Sequence, residues 1–320
     1  MSCKLCGGDL LTQVSHRDAK SSEPLNVSIC CDCGLIQQVP VPTDAELEKF
    51  YAYRYRSEYK NTITPKPRHV YRAGLVALSR LEFLAAHGIR DGKLLDIGAG
   101  GGEFVYLTGR SGFEASGVDP NLGYAEYARA EYGVLLHSGD LAEVSERSGV
   151  VTMFHVMEHL PSPLAAFENL WSIIEPGGTL FVEVPDIESK CASPNNIFFR
   201  AHIHYFCRAT LTACASRHFE VIVTDNSSNL RVLFRRRDTP VPLVLPTAGE
   251  VEQVQKRLKK KGWVEYLFAG RGLLKPCSRI KKRAAEASIG NKCGRDILDQ
   301  LAANRGVGRL TAAPDVHKKG

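Results

Sequence analysis

Lys93-Leu94-Leu95-Asp96-Ile97-Gly98-Ala99-Gly100-Gly101-Gly102-Glu103-Phe104 reads as a buried strand running straight into a glycine turn. The glycines at 98, 100 and 102 free the backbone for φ values that a β-carbon forbids and leave bare main chain for a ligand to lie against. The dinucleotide fingerprint G-x-G-x-x-G requires a last glycine where Glu103 stands, so the turn is of another kind. What remains is Asp96-x-Gly98-x-Gly100-x-Gly102, a cradle suited to a charged cofactor.

Outward from this turn, strand and helix alternate as in a parallel sheet. Strands are expected over residues 93–97, 114–118, 134–137, 150–155 and 179–184, with helices over 103–110, 121–132 and, after Pro161 and Pro163, up to 174. Pro176-Gly177-Gly178 is read as the turn into the fifth strand. Residues 219–224 and 230–235 are expected as an antiparallel pair behind a helix at 210–217. Ahead of the glycine turn, Leu75, Leu78, Leu81 and Leu84 recur at helical spacing within 68–87, a helix that should cover one face of the sheet.

With 320 residues, 44% of them hydrophobic and 24% charged, the chain is long enough for one full α/β domain with appendages. No apolar run approaches membrane-spanning length, and Met1-Ser2-Cys3-Lys4 leads into a cysteine motif rather than a signal peptide, so a cytoplasmic location is expected. The net charge of +6 gathers in the last third, in basic runs at 256–261, 279–283 and 317–319. Such runs are either solvated surface or a face for a phosphate-bearing partner.

The cysteines divide into a cluster and a scatter. Cys3-x-x-Cys6 and Cys30-x-x-Cys33 form two knuckles with room for a hairpin between them, which matches a zinc ribbon of four thiolate ligands. Glycine follows each pair, where the turn folds its amides back toward sulfur. Cys31 should point away from a metal held by Cys30 and Cys33. A disulfide framework, the alternative, needs an oxidising compartment. Cys191, Cys207, Cys214, Cys277 and Cys293 lack ligand spacing and are read as packing residues.

Four segments are expected: a zinc ribbon at 1–43, an aromatic and basic connector with a covering helix at 44–90, a cofactor-binding domain at 91–237, and a basic helical extension with a disordered tail at 238–320. Thr43 or Asp44 can cap a short helix reaching residue 50. Tyr51, Tyr53, Tyr55 and Tyr59, interleaved with Arg54, Arg56 and Lys60, make either a packed arm or a lid over substrate or cofactor. In the extension, Val251, Val254 and Leu258 share one side of a basic helix, a second helix runs through Trp263, Tyr266 and Leu267, and 287–294 reads as a glycine loop remnant.

The run Asp96-x-Gly98-x-Gly100-x-Gly102 resembles the first motif of the class I S-adenosylmethionine (SAM) methyltransferases. That resemblance implies a Rossmann-like α/β fold of seven strands, the last two a hairpin, with the cofactor at the carboxyl edge. It places Asp119, about twenty residues past the glycine turn, on both ribose hydroxyls. It sets Asp96 toward the ammonium of SAM and Asp140 toward the adenine amine. For each acid the alternative is a helix cap or turn carboxylate.

The four cysteines sharpen the likeness to a subgroup that methylates nucleotide-linked deoxysugars. Its Tyr-x-Glu-His run, followed by an aromatic pair, falls on residues 199–206, with the histidine at His202 and the pair at Tyr205 and Phe206. The glutamate position is Ala201 and the tyrosine position Phe199. Without that carboxylate, carbanion formation is disfavoured and deprotonation of a hydroxyl favoured. The base is His202 or His204, each alternatively a structural histidine bonded to a backbone carbonyl. His155 would pack near the sulfonium or substrate. The subgroup's second nucleotide-binding-like domain is not expected in the short stretch from 238 to 320.

His155-Val156-Met157-Glu158-His159 also matches the H-x-x-E-H signature of inverzincin proteases. That signature requires a helix, against which stand the β-rich run 150–154 and the prolines at 161 and 163. The leading expectation is therefore in-line transfer of the SAM methyl to a sugar, nucleotide-sugar or related small-molecule or glycan acceptor. RNA is an alternative acceptor, although the Asn-Pro-Pro-Tyr or Asp-Pro-Pro-Tyr motif of exocyclic amine methylation is missing after the fourth strand. The non-enzymatic alternative is a zinc-ribbon binding protein that retains a SAM pocket.

Overall fold

The computed structural model describes residues 2–43, 45–47, 65–227, 229–287 and 289–306. Its strands in chain order are β1 (Leu11–Arg17), β2 (Pro24–Cys30), β3 (Ile36–Gln38), β4 (Gly92–Ile97), β5 (Phe113–Asp119), β6 (Leu135–Ser138), β7 (Ser148–Phe154), β8 (Ile174–Val184), β9 (His204–Tyr205), β10 (Phe219–Asp225) and β11 (Leu230–Arg236). The α-helices are α1 (Pro67–Ala86), α2 (Glu103–Arg110), α3 (Leu122–Tyr132), α4 (Pro163–Ile173), α5 (Arg208–Ala215), α6 (Ala248–Lys260), α7 (Trp263–Phe268), α8 (Lys275–Ala287) and α9 (Gly294–Arg305). The aromatic connector, Asp44 and the chain beyond 306 lie outside the described residues.

Two compact units are each assembled from two separated stretches, Met1–Lys60 with Met153–Arg279 and Asn61–Thr152 with Ile280–Gly320. The second carries the glycine turn. There β4, β5 and β6 pair in parallel, Gly92 opposite Phe113 and Ser116 opposite Leu135. Pro67 opens α1, where its missing N–H costs nothing, and the helix buries Val70, Gly74, Leu78, Leu81 and Leu84 at three- and four-residue steps. Gly74 on the same face lets α9 approach, because a β-carbon there would come within 2.7 Å of Leu298 and Leu301. Asn121 caps α3 by accepting from the Tyr124 amide, and Gly133 ends it at φ 70°.

The first unit carries the cysteines. Its four-stranded sheet has the order β1-β2-β3-β9, so the two residues of β9 extend the cysteine-bearing hairpins. Ile36 pairs with Tyr205 and Gln37 with His204. Leu25, Val27, Ile29, Ile36 and Tyr205 form one apolar cluster with Ile187, Cys207 and Val254, the last from α6. A basic helix with one apolar stripe thus finds its partner in this sheet.

The main sheet has the order β10-β11-β8-β7-β4-β5-β6. Its final hairpin runs antiparallel, β11 against β8 and β10 against β11. The seven strands and the α/β class stand as the sequence led us to expect. Two local features differ. Pro176-Gly177-Gly178 lies inside β8, with Gly177 at φ 75°, rather than ahead of it. β9 was not anticipated, since two residues carry no periodic signal. Of the residues read as a glycine loop, those at 289–293 lie between α8 and α9. No described helix is long and apolar enough to cross a membrane.

Candidate active site

At the end of β4 all three motif glycines take left-handed backbone, with φ of 73° at Gly98, 54° at Gly100 and 82° at Gly102. The amides of Gly98 and Ala99 both donate to the Val118 carbonyl, at 2.8 and 3.1 Å, tying the turn to the end of β5. A β-carbon at Gly100 would meet nothing within 4 Å, so this part of the turn faces open space. At Gly102 it would lie 2.7 Å from the Ala128 side chain. We expect Gly102→Ala to lose about 3 kcal/mol of stability, from left-handed strain plus overpacking, read as an earlier midpoint in chemical denaturation.

Asp119 stands beside the turn, 9% exposed. One carboxylate oxygen accepts from the Gly100 amide at 2.8 Å and the other from the Asn121 amide at 2.9 Å. Burial raises its pKa against these two bonds. Each oxygen keeps a second lone pair, enough for two vicinal hydroxyls. Asp140 instead caps the turn Leu141–Glu143, accepting from the Ala142 amide at 2.8 Å, which is the capping role weighed for it in sequence.

Asp96 is enclosed at the end of β4 and accepts 2.6 Å from the Thr152 hydroxyl of β7. Burial pushes it up to about 7 despite that bond. Burial likewise holds Glu103, in the first turn of α2, up to about 7. Both folded values lie above the ordinary carboxylate pKa near 4. Between these limits the native chain binds more protons than the unfolded one, so stability is greatest below about pH 4 on their account and falls as pH rises to about 7. The expected slope is up to about 1.4 kcal/mol per pH unit for each group, measured by denaturation across that window, with Asp96→Asn removing one share.

The cysteines meet as four. Cys3 Sγ lies 3.4 Å from Cys33 Sγ and Cys6 Sγ 3.5 Å from Cys30 Sγ, and all four sulfurs fall within 4.8 Å of one another. Four thiolates at ~2.3 Å from a tetrahedral ion stand roughly 3.8 Å apart, so the set fits zinc closely. The Leu5 and Gly8 amides each donate to a sulfur at 3.4 Å, with Gly7 and Gly34 left-handed at the knuckles. Cys31 turns away to contact the Thr12 hydroxyl at 3.2 Å. The bond from Cys33 draws the Cys3 thiol down to about 5, while burial holds Cys30 up to about 12, so a divalent cation is needed before all four ionise.

The histidines gather around a carboxylate that sequence reasoning passed over. Glu158 is 1% exposed, and its Oε1 lies 3.3 Å from His155 Nδ1 and 3.9 Å from Nε2 of both His159 and His202. The expectation that His202 lacks a carboxylate neighbour is thereby corrected. Glu158 supplies it from more than forty residues upstream, and Ala201 contributes only its carbonyl, which bonds His159 Nδ1 at 2.6 Å. The segment 155–159 runs from the end of β7 into a single turn of 3-10 helix, not the α-helix an H-x-x-E-H protease requires.

His155 takes left-handed backbone at φ 57° and bridges two buried acids, its Nε2 lying 3.2 Å from Glu183. Burial opposes its charge, yet Glu158 and Glu183 outweigh that and raise it to about 9. His204 on β9 is fully buried, with no side-chain hydrogen bond in the described residues. Burial lowers its pKa to about 3, which leaves it neutral and weakly basic.

The loop carrying His202 hangs from the cysteine-bearing sheet. Gln38 Nε2 donates to the carbonyls of Arg200 and His202 at 2.9 and 2.7 Å, and Asp18 accepts from the Arg200 amide at 2.7 Å. Tyr205 fixes the other side, exchanging hydrogen bonds of 3.1 Å with the Phe199 main chain. The result is a cavity of 460 Å³ whose lining includes His155, Asp186, Phe199, His202, Asn229 and Lys261. Burial lowers Lys261 to about 8, and its Nζ donates to the Ser189 carbonyl at 2.7 Å.

Residues 68–236 match the family model described as "Methyltransferase domain". The chain belongs to that family. Among curated relatives of this methyltransferase-domain chain, the ubiquinone biosynthesis O-methyltransferase of Histophilus somni (strain 2336) is 27% identical over 118 residues, covering 32% of this chain and 50% of that protein. The protein of the same name from Paraburkholderia xenovorans (strain LB400) is 33% identical over 112 residues, covering 32% and 48%. The chain therefore spans about half the length of the curated relatives it matches. Among solved structures, the PH0226 protein of Pyrococcus horikoshii OT3 aligns at 19% identity and a TM-score of 0.44, over 52% of this chain and 91% of that one. The magnesium protoporphyrin IX methyltransferase of Synechocystis PCC 6803, solved with bound SAM, aligns at 17% and 0.42, over 58% and 91%.

Proposed function

We propose that the chain is a SAM-dependent methyltransferase acting on a small polar acceptor, a sugar or nucleotide-linked sugar, and that Cys3, Cys6, Cys30 and Cys33 hold a structural zinc ion. The observation that carries the cofactor reading is the left-handed run Gly98, Gly100 and Gly102 against a buried carboxylate, Asp119, that keeps two lone pairs for a diol. The relatives' name, ubiquinone biosynthesis O-methyltransferase, supports transfer to an oxygen of a small molecule. Cysteines that serve as zinc ligands rather than disulfides would suit a reducing, cytoplasmic setting.

Bound at the turn, SAM would supply an electrophilic methyl on a positively charged sulfur. Asp119 would hold the ribose, and Asp96, bonded by Thr152, would meet the ammonium, whose charge favours the carboxylate form. Gly98, Gly100 and Gly102 admit the cofactor against main chain. Asp140, already a cap, is left with a supporting contact to the adenine. On the acceptor side Lys261 offers a cation to a phosphate, which favours a nucleotide-linked acceptor.

A hydroxyl needs its proton removed as the methyl transfers. His202 is the assigned base, with the Glu158 carboxylate opposite its Nε2 to stabilise the imidazolium. His204 is too weak a base for this work, and His155, clamped between two acids, orients the pocket. His202→Ala is expected to slow turnover by about a hundredfold or more with little change in SAM affinity. The acceptor is tested with labelled SAM against a nucleotide-sugar panel, a set of phenols and quinols, and total RNA. Label in the nucleotide-sugars is the expected result. Label in RNA alone would overturn the acceptor assignment.

A further inference from the structure

Glu158, His159 and His202 place three ligand atoms within 4.8 Å of one another, in the cysteine-bearing unit but apart from the cysteine cluster. The hydrogen bond between His159 Nδ1 and the Ala201 carbonyl puts the ring proton on Nδ1 and leaves Nε2 with its lone pair. That lone pair looks toward Glu158 Oε1 across 3.9 Å, too far for a hydrogen bond and with no donor in the neutral ring. His202 Nε2 stands at the same 3.9 Å. The second oxygen of Glu158 is buried and has no hydrogen-bond partner. His155 Nδ1, 3.3 Å away, answers only the first oxygen of this buried carboxylate, and a cation between Glu158 and the two facing imidazoles would answer the second.

We propose that these three residues form a second metal site, a two-histidine, one-carboxylate set for a divalent first-row transition ion. Imidazole and carboxylate together suit ions such as Zn²⁺, Mn²⁺, Fe²⁺ or Co²⁺, and three protein ligands leave coordination positions open. The carbonyl behind His159 is the outer partner that metal-bound histidines regularly have. His202 lines the 460 Å³ cavity, so with its Nε2 on the ion it gives up the part of base, and an open coordination position can instead take a hydroxyl oxygen of the acceptor and lower its pKa. This last step rests on the methyltransferase reading. Ion binding itself does not.

The test uses full-length, tag-free protein with zinc bound at the cysteines, titrated with Co²⁺. The expected result is uptake of one further equivalent, with weak visible bands and no thiolate charge-transfer band. Glu158→Gln and His202→Ala should each weaken that uptake by about a hundredfold or more, exceeding the loss caused by removing a ligand's outer partner. In unmodified protein labelled with ¹⁵N-histidine, Co²⁺ should shift or broaden the ring signals of His159 and His202 first among the 10 histidines. No second equivalent, uptake unchanged in both variants, or His159 and His202 signals that answer to pH but not to Co²⁺ would overturn the proposal. Methyl transfer is not read, so failure here leaves the SAM assignment standing.

Discussion

Replacing Cys30 and Cys33 together by serine is expected to abolish methyl transfer while leaving SAM binding nearly intact. Structural zinc contributes roughly 10 kcal/mol or more to small thiolate-bound folds, far beyond what the short strands β1, β2 and β3 recover by packing. What fails with them follows from the pairing. β9 is a two-residue strand held against β3, and the His202 carbonyl is bonded by Gln38 of β3. Losing the hairpins therefore frees Phe199, His202 and Tyr205, the residues that shape the acceptor cavity. The glycine turn, Asp96 and Asp119 belong to the other compact unit and depend on β4 and β5. Calorimetric SAM affinity and turnover, measured on the same preparation, separate the two effects. Loss of both together would show that zinc supports the whole chain, and loss of neither would deny the ion a structural part.

Asp119→Ala is expected to lower SAM affinity by two to three orders of magnitude, and Asp119→Asn by nearly as much. Hydrogen bonds to a charged acceptor contribute about 1.5–3 kcal/mol each, and the carboxylate would receive two ribose hydroxyls. The alanine variant also strands the Gly100 amide, which now donates to Asp119 at 2.8 Å, so the turn itself loosens. The asparagine variant keeps an oxygen for one partner but presents an N–H₂ donor to the other. Thermal unfolding with and without SAM reports the same loss independently, because a ligand that binds only the native state raises the midpoint by an amount that grows with the logarithm of its affinity.

The glycine turn was legible because left-handed backbone leaves a compositional trace, and positions 98, 100 and 102 all adopt it. The cysteine cluster was legible because knuckle spacing is local. The acceptor side was not legible to the same degree, because its contacts are long-range. Sequence reasoning sought a partner for His202 at the neighbouring position, found Ala201, and missed Glu158. The two are brought together by a main-chain bond of 2.8 Å from the Ile203 amide to the Glu158 carbonyl. Thr152 escaped notice for the same reason, a hydroxyl in an apolar strand whose partner, Asp96, lies 56 positions earlier. β9 and the seat of α9 against Gly74 depend on pairing and close approach, which hydropathy periodicity does not encode. The tyrosine-rich connector, weighed as a lid or an arm, falls outside the described residues.

Titrating S-adenosylhomocysteine into the zinc-loaded full chain, followed by calorimetry, bears most directly on the glycine turn as a SAM site. One equivalent should bind with measurable heat, in wild type and not in Asp119→Ala, and at pH 6 binding should release protons as Asp96 gives up the one that burial lends it. An absence of heat with folded wild-type protein, or equal binding by Asp119→Ala, would contradict it.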